Sequence, residues 1–203
     1  MTVALQRPAP ALERGWFDRR AEVVARDLLG ARLIHTASDG TVGGWIVEVE
    51  AYAGPEDLAA HSAHGMTPRN QVMFGRPGHV YVYFIYGMHH CMNVVCGPDT
   101  KPEAVLLRAV AIDEGIELAR LRRGPAVTDA RLASGPGNVA RAFGVDLELN
   151  GIDLVDGPMR IVSPRHSAPQ IAAGPRIGVD YAGAWAARPM RFWIRDDPHV
   201  SRR

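Results

Sequence analysis

The chain has 203 residues and a formal net charge of +1, with 47% hydrophobic and 22% charged residues. This length and balance predict one globular domain with a sizeable core, and they exclude a strongly basic surface that attracts nucleic acid by charge alone. No apolar run approaches the roughly 18 residues of a membrane span, and the N-terminal sequence lacks the pattern of a signal peptide. We therefore expect a cytoplasmic protein without membrane contact.

The composition also limits covalent chemistry. Cys91 and Cys96 lie in an apolar run and lack the paired spacing of a zinc site, so we predict two buried thiols, with a disulfide as the alternative. Lys101 is the only lysine. Because a Schiff base requires an amine that can lose its proton, and arginine supplies none, imine chemistry is poorly supported.

Local patterns predict a helix, then strands, then helices, then strands. Residues 1–15 are predicted to be a poorly ordered lead-in and residues 16–203 a single domain. Asp18 is a candidate N-cap for a helix that ends at Gly30. The predicted strands cover residues 31–36, 42–52, 80–85, 91–96 and 104–112; the predicted helices cover 114–122, 127–132 and 134 to about 144; short strands and turns follow over 151–203. This order indicates an α+β fold whose largely antiparallel, curved sheet is flanked by helices.

The strand over residues 42–52 has two alternating faces: Trp45, Val47, Val49 and Ala51 on one, and Ile46, Glu48, Glu50 and Tyr52 on the other. Two carboxylates beside a tyrosine form either a solvated outer face or the acidic wall of a site. Arg108 interrupts the apolar strand over 104–112. Since a charge in so apolar a strand is more often paired than exposed, we expect Arg108 to contact Glu48 or Glu50.

A hairpin tip is predicted where Tyr86-Gly-Met-His89 joins two strands. Tyr81 and Tyr83 share one face of the first of these strands. Large apolar side chains at a tip cannot reach the core, so Tyr86 and Met88 are either covered by another segment or offered to a partner. The second possibility corresponds to a protruding hairpin.

Paired carboxylates beside aromatic rings suit cleavage of a glycosidic bond, because one carboxylate can activate water while negative charge stabilises an oxocarbenium-like transition state. Tyrosine faces suit a flat, electron-poor ring. Together they favour an N-glycoside whose base stacks on tyrosine; a sugar or nucleoside hydrolase that uses Glu48 and Glu50 is the alternative. A damage-binding module without chemistry and a metal protein are further alternatives, although five histidines lack ligand spacing on any one element: His61, His64, His79, His89 and His90.

Two turns are weaker candidates for contact with a phosphate backbone. Ser134-Gly-Pro-Gly-Asn138 begins a helix, and its Gly135 and Gly137 could present N–H groups to a phosphate, although Ser-Gly-Pro is also an ordinary helix start. Arg69 lies at the exposed corner of the turn over 67–70.

Long motifs in a fixed order resemble the alkyladenine (3-methyladenine) DNA glycosylase family over most of the chain, from about residue 16 to residue 201. These motifs are Glu48-Val-Glu-Ala-Tyr-Ala-Gly-Pro-Glu-Asp57, Ala60-His-Ser62, Thr67-Pro-Arg-Asn70, Met73-Phe74, Tyr81-Val-Tyr-Phe-Ile-Tyr-Gly-Met88, Cys91-Met-Asn93, Val105-Leu-Leu-Arg108, Ser134-Gly-Pro136 and Arg176-Ile-Gly-Val179. Unlike many relatives, this chain has His89 and His90 after Gly-Met, and Asn138 where a basic residue can follow Ser-Gly-Pro-x.

The resemblance implies a bacterial, monofunctional enzyme of base excision repair, without metal, cofactor or lyase step. Such an enzyme acts as a monomer at the nucleoid, flips alkylated or deaminated purines out of duplex DNA and hydrolyses the N-glycosidic bond. The lesions of this class are 3-methyladenine, 7-methylguanine, hypoxanthine and ethenoadenine.

Roles for individual residues follow from the same resemblance. Glu50 would be the general base for the attacking water, and Arg108 would hold that water and the local charge. The base pocket would be formed by Tyr52, His61, Tyr83 and Asn93, with Asn93 excluding the guanine 2-amino group. Tyr86 would intercalate into the DNA, together with Met88.

Overall fold

An eight-stranded antiparallel sheet organises the chain in a computed structural model, which describes residues 10–98, 101–163 and 169–202. The strands are β1 (Arg32–Ala37), β2 (Gly40–Tyr52), β3 (Val80–Ile85), β4 (His89–Cys96), β5 (Glu103–Glu114), β6 (Met159–Val162), β7 (Ile171–Gly174) and β8 (Arg191–Ile194). Their order is β3-β4-β5-β2-β1-β6, and β8 pairs with both β2 and β7. The α+β fold with an antiparallel sheet is therefore confirmed.

The α-helices are α1 (Arg14–Phe17), α2 (Ala21–Leu28), α3 (Ile116–Arg123) and α4 (Pro136–Phe143). Short 3₁₀ helices cover His61–His64, Gln71–Phe74, Asp129–Arg131, Leu147–Leu149 and Asp180–Trp185. One core holds side chains from the helices and from one sheet face, among them Phe17, Leu28, Leu107 and Phe143. In the described parts of the chain, no helix is long and apolar enough to cross a membrane.

The start of the first long helix differs from the prediction. Residues 1–9 of the predicted lead-in lie outside the described residues, but Leu12 is buried and its N–H donates to the Ile161 carbonyl at 2.8 Å. Asp18 does not cap a helix, because α2 begins at Ala21. The Ala21 N–H instead donates to the Glu103 carboxylate at 2.6 Å, so a residue 82 positions away satisfies the start of this helix.

The predicted boundary between β5 and α3 is also wrong. Helix α3 begins at Ile116 rather than residue 114, and β5 continues to Glu114. Gly115 separates the two elements at φ 70°, and a Cβ there would lie 2.1 Å from the Thr41 carbonyl oxygen. Only glycine permits this close approach. The strand β5 therefore ends immediately before Gly115.

The hairpin of β3 and β4 agrees with the prediction, although its return strand starts at His89 instead of residue 91. Ile85 pairs with His89, so three residues form the tip. Cys91 and Cys96 are buried and free, as predicted. The predicted helix over 127–132 is only the short 3₁₀ turn Asp129–Arg131.

Candidate active site

A cavity of about 460 Å³ lies against the sheet face opposite the main core. Alternate residues of four strands line it: Glu50 and Tyr52 on β2, Tyr81, Tyr83 and Ile85 on β3, Cys91 and Asn93 on β4, and Ala104, Leu106 and Arg108 on β5. Their neighbours, such as Val82, Val94 and Leu107, point into the core. The period of two in each strand therefore builds the core on one face and the cavity on the other.

Glu50 lies at the cavity wall with its carboxylate fully buried. One oxygen accepts the Ile177 N–H at 2.8 Å, and the other accepts the Tyr52 hydroxyl at 3.0 Å. Arg108 Nη1 lies 3.3 Å from Glu50 Oε1. Burial raises the pKa of Glu50 above the usual glutamate value, and the Arg108 charge opposes that rise. The result is an oriented carboxylate that binds a proton more readily than an exposed one.

Glu48 is buried as fully as Glu50, but partners surround it. Its Oε1 accepts Arg108 Nε at 2.9 Å, Arg191 Nη1 at 3.0 Å and the Ser201 hydroxyl at 3.0 Å. Its Oε2 accepts the Ser201 N–H at 2.6 Å. The predicted pairing of Arg108 is confirmed with both carboxylates, and the solvated-face alternative for β2 is wrong.

Two β-bulges place these charges. The pairing of β2 with β5 passes from Ile46↔Val110 to Glu48↔Ala109 and then to Val49↔Leu107, so Val47 and Arg108 are each left out of the ladder. The predicted faces of β2 are therefore wrong before Glu48: Ile46 shares the core with Val49 and Ala51 instead of sharing a face with the carboxylates. Bulges are common beside active sites because they re-aim a side chain.

The aromatic part of the cavity is a contact group of His61, Tyr81 and Tyr83. The Tyr81 hydroxyl lies 2.9 Å from His61 Nδ1, and the His61 and Tyr83 rings meet edge-on with centroids 4.6 Å apart. Burial and the nearby Arg69 charge lower the pKa of His61 to about 4, and burial raises the pKa of Tyr81 to about 12. These side chains are therefore neutral near pH 7 and present flat, uncharged walls.

Two amides and an ion pair hold the aromatic walls in place. Asn93 is buried and its side-chain nitrogen donates to the Tyr81 carbonyl at 3.1 Å. Asn70 donates to the His61 carbonyl at 2.8 Å and so ties down the segment that carries the imidazole. The Arg176 guanidinium lies 4.7 Å from the Tyr52 ring centroid and forms a fully buried ion pair with Asp57.

Tyr86 and Met88 are exposed at the hairpin tip, by 79% and 70% respectively. Tyr86 has φ 54°, an uncommon conformation for a residue other than glycine, and it also lines the cavity mouth. Met88 does not line this cavity; it borders a second groove with His89, His90 and Arg141. Among the described residues, therefore, no segment covers the tip.

The weaker candidates for contact with the DNA backbone have different surroundings. Arg69 is exposed, donates to the Phe84 carbonyl at 3.0 Å and lies 5.4 Å from the Tyr83 ring centroid. The Gly135 N–H donates to the Arg108 carbonyl at 2.8 Å, so it is already engaged within the protein. Gly137 lies in the first turn of α4, where backbone N–H groups lack helical partners.

Sequence reasoning missed several residues that complete this site. Backbone N–H groups of Ile177 and Ser201 donate to Glu50 and Glu48, and the Arg191 guanidinium donates to Glu48. The Tyr81 hydroxyl contacts His61, although the sequence does not predict Tyr81 as a residue of the base pocket. Arg176-Ile-Gly-Val179 stood out only as a motif, which gave no hint of the contact to Glu50. In the ranges that the structure describes, no group of three or more His, Cys, Asp or Glu side chains could hold a metal ion.

Comparison with known proteins shows the family of this chain. The family model described as Methylpurine-DNA glycosylase (MPG) matches residues 15–198. A protein from Streptomyces avermitilis is 50% identical over 194 residues, covering 94% of this chain and 90% of its own length. One from Methanocella arvoryzae is 46% identical, covering 96% and 97%, and one from Myxococcus xanthus is 46% identical, covering 94% and 93%. Each of the three carries the name "Putative 3-methyladenine DNA glycosylase". The chain therefore belongs to the methylpurine-DNA glycosylase family and is a DNA glycosylase, a hydrolase.

Proposed function

We propose that this glycosylase releases alkylated or deaminated purines from duplex DNA, by flipping the nucleotide into the cavity and attacking C1′ with water activated by Glu50. The observation that carries the proposal is the buried, hydrogen-bonded Glu50 carboxylate in a cavity walled by aromatic rings. The resemblance to the family implies that the lesions are 3-methyladenine, 7-methylguanine, hypoxanthine and ethenoadenine.

The proposed reaction transfers a proton from water to Glu50. As the N-glycosidic bond breaks, its electron pair leaves with the base and the sugar gains oxocarbenium character. The water oxygen then bonds to C1′ while the Glu50 carboxylate accepts the proton. Arg108 lies 3.3 Å from Glu50, where it would help to hold the water and balance the charge of the site. No amine attacks the sugar, so no lyase step follows.

Base selection would come from stacking and from one amide. Tyr52, His61 and Tyr83 line the cavity, and Tyr81 adds a ring next to them. An aromatic face attracts a cationic alkylated purine more strongly than a neutral one, through stacking and cation–π attraction. Asn93 is held by the Tyr81 carbonyl, and we assign it the exclusion of the guanine 2-amino group.

Tyr86 and Met88 would fill the space that the flipped nucleotide leaves in the duplex. Their exposure at a tight tip leaves both free to insert between bases. Such a wedge offsets part of the few kcal/mol that unstacking costs, and a damaged base starts from a weaker stack. Arg69 and Gly137 are weaker candidates for contact with the DNA backbone.

One chain contains the complete proposed site, so we expect a monomer to be sufficient. We also propose that it works at the bacterial nucleoid, where its DNA substrate would lie. Because the net charge is only +1, the contact with DNA would come from a local patch.

The test is a base-release assay on matched duplexes that carry each of the four lesions, with an undamaged duplex as control. We expect release of at least one alkylated purine and none of normal bases. Faster cleavage of a free nucleoside or oligosaccharide would favour a sugar or nucleoside hydrolase. Binding of lesion duplexes without any release would favour a damage-binding module.

A further inference from the structure

The residues around Ser201 are docked against the buried charges of the site. The Ser201 N–H and hydroxyl both donate to Glu48, at 2.6 and 3.0 Å. The backbone carbonyl of the next residue, Arg202, accepts a hydrogen bond from Arg191 Nη1 at 2.9 Å. Val200 is buried on the other side of Ser201. The backbone that leads to the Arg202 side chain is therefore anchored at three consecutive residues.

Arg202 itself is exposed and lines the cavity that contains Glu50. Arg108 is the other arginine of that lining, but it is buried and bonded to Glu48. Within the described residues, the Arg202 guanidinium makes no ion pair or side-chain hydrogen bond, whereas Arg108 and Arg191 both do. A solvated cation is thus held at the edge of the cavity by a fixed backbone.

The strand order places Arg202 and the hairpin tip on opposite sides of β5. Tyr86 belongs to the hairpin of β3 and β4, at one edge of the sheet. Arg202 is tied to Arg191 on β8 and, through Ser201, to Glu48 on β2, with β5 between these strands and the hairpin. The cavity mouth therefore has an aromatic wedge on one side and a guanidinium on the other.

We propose that Arg202 binds a phosphate that flanks the flipped nucleotide. The inference rests on the proposed function, because it requires a nucleotide that enters the cavity base first. The sugar would then reach Glu50 while its phosphates remain near the mouth. A guanidinium can donate two parallel hydrogen bonds to phosphate oxygens, and its charge displaces a counterion from the DNA.

The experiment measures affinity against salt for Arg202→Ala on a duplex with a tetrahydrofuran abasic site. This site has no glycosidic bond, so the wild-type enzyme binds it without reaction. Losing one phosphate contact should reduce the slope of log K against log salt by about 0.9 and weaken binding by about fivefold to tenfold at 0.1 M salt. Arg195→Ala is the matched control, because Arg195 is exposed near the end of β8 but does not line the cavity.

Three outcomes support the inference when they occur together: the slope falls in Arg202→Ala, it is kept in Arg202→Lys, and it is unchanged in Arg195→Ala. An unchanged slope in Arg202→Ala overturns it, as does an equal fall in Arg195→Ala or an equal fall on an undamaged duplex. Wild-type base release is measured in parallel. If that release fails, the proposed function fails; if it persists while the Arg202→Ala slope is normal, only this inference fails.

Discussion

The charge cluster around Glu48 and the cavity around Glu50 are neighbouring regions with different designs. Both carboxylates are fully buried on β2, two residues apart. Glu48 meets two arginines and Ser201, so all its contacts face into the protein. Glu50 has a backbone N–H, a tyrosine hydroxyl and a longer Arg108 contact, and it opens onto the cavity. Glu48 is therefore a carboxylate enclosed by protein partners, whereas Glu50 is a carboxylate that lines the cavity, and we propose the catalytic role for Glu50.

The largest expected effect is on folding, through Glu48→Ala. Removing this carboxylate leaves the buried Arg108 and Arg191 guanidiniums without their shared partner. Loss of one member of a buried ion pair costs about 3–5 kcal/mol, so urea unfolding should show a decrease of that size. Glu22→Ala, on the exposed face of α2, should change stability by no more than about 0.5 kcal/mol. If the Glu48→Ala protein is as stable as this control, Glu48 does not have the stabilising role that distinguishes it from Glu50.

Tyr86→Ser tests the hairpin tip, which lies away from both carboxylates, and so extends the comparison to a third region. Aromatic stacking on a base is worth about 1–3 kcal/mol, so affinity for a lesion duplex should fall by about tenfold. The free energy of unfolding should stay unchanged, because the side chain is 79% exposed. Leu121→Ser, at a residue 81% exposed on α3, is the control for losing a surface hydrophobe. Equal affinities in the two variants would argue against the wedge.

Tyr52→Phe tests whether the hydroxyl bonded to Glu50 tunes the carboxylate. Losing a hydrogen bond to a charged group should slow base release about tenfold. Because that donor favours the ionised carboxylate, its loss should raise the pKa of Glu50 further and move the acidic limb of the rate profile to higher pH. Tyr181→Phe removes a hydroxyl from the same cavity wall without touching Glu50 and should leave the limb in place. The idea fails if both variants give the wild-type profile.

The last comparison concerns a pH dependence of stability from His61. Its pKa of about 4 lies below the ordinary 6.5, so the unfolded chain binds the proton more readily. The stability that neutral His61 contributes should therefore be lost as pH falls from about 6.5 to about 4. Relative to His61→Gln, the wild type should lose its advantage over this range in urea unfolding. Relative to Glu50→Gln, the wild type should instead gain stability as pH falls, because the pKa of Glu50 is raised in the folded protein. A constant gap in either comparison would contradict the assigned direction.

Much of this arrangement was predictable from alternation and apolar pattern. The strands of the sheet, the hairpin, and the shared face of Tyr81 and Tyr83 follow from local sequence. The pairing of Arg108 follows from its place in an apolar strand, although Glu48 lies 60 positions away. Each depends on a period of two or on the cost of burying an unpaired charge. Each of these signals can be read within a single strand or a pair of neighbouring strands.

The remaining features depend on distant contacts or broken periods. The bulges at Val47 and Arg108 interrupt the alternation, so the face of Ile46 could not be read from its neighbours. Ile177 and Ser201 reach the carboxylates from 127 and 153 residues away, through backbone groups that any residue carries. Glu103 likewise satisfies the start of α2 from β5, where no local cap marks it. Only the assembled fold brings these groups together.

We propose that Glu50, and not Glu48, performs the chemistry. The most direct measurement is single-turnover base release by Glu50→Gln on a 3-methyladenine or hypoxanthine duplex, alongside its affinity for the abasic-site duplex. We predict a rate lower by about 10²–10⁴-fold, with affinity close to that of the wild type. Base release by Glu50→Gln at the wild-type rate would contradict the account.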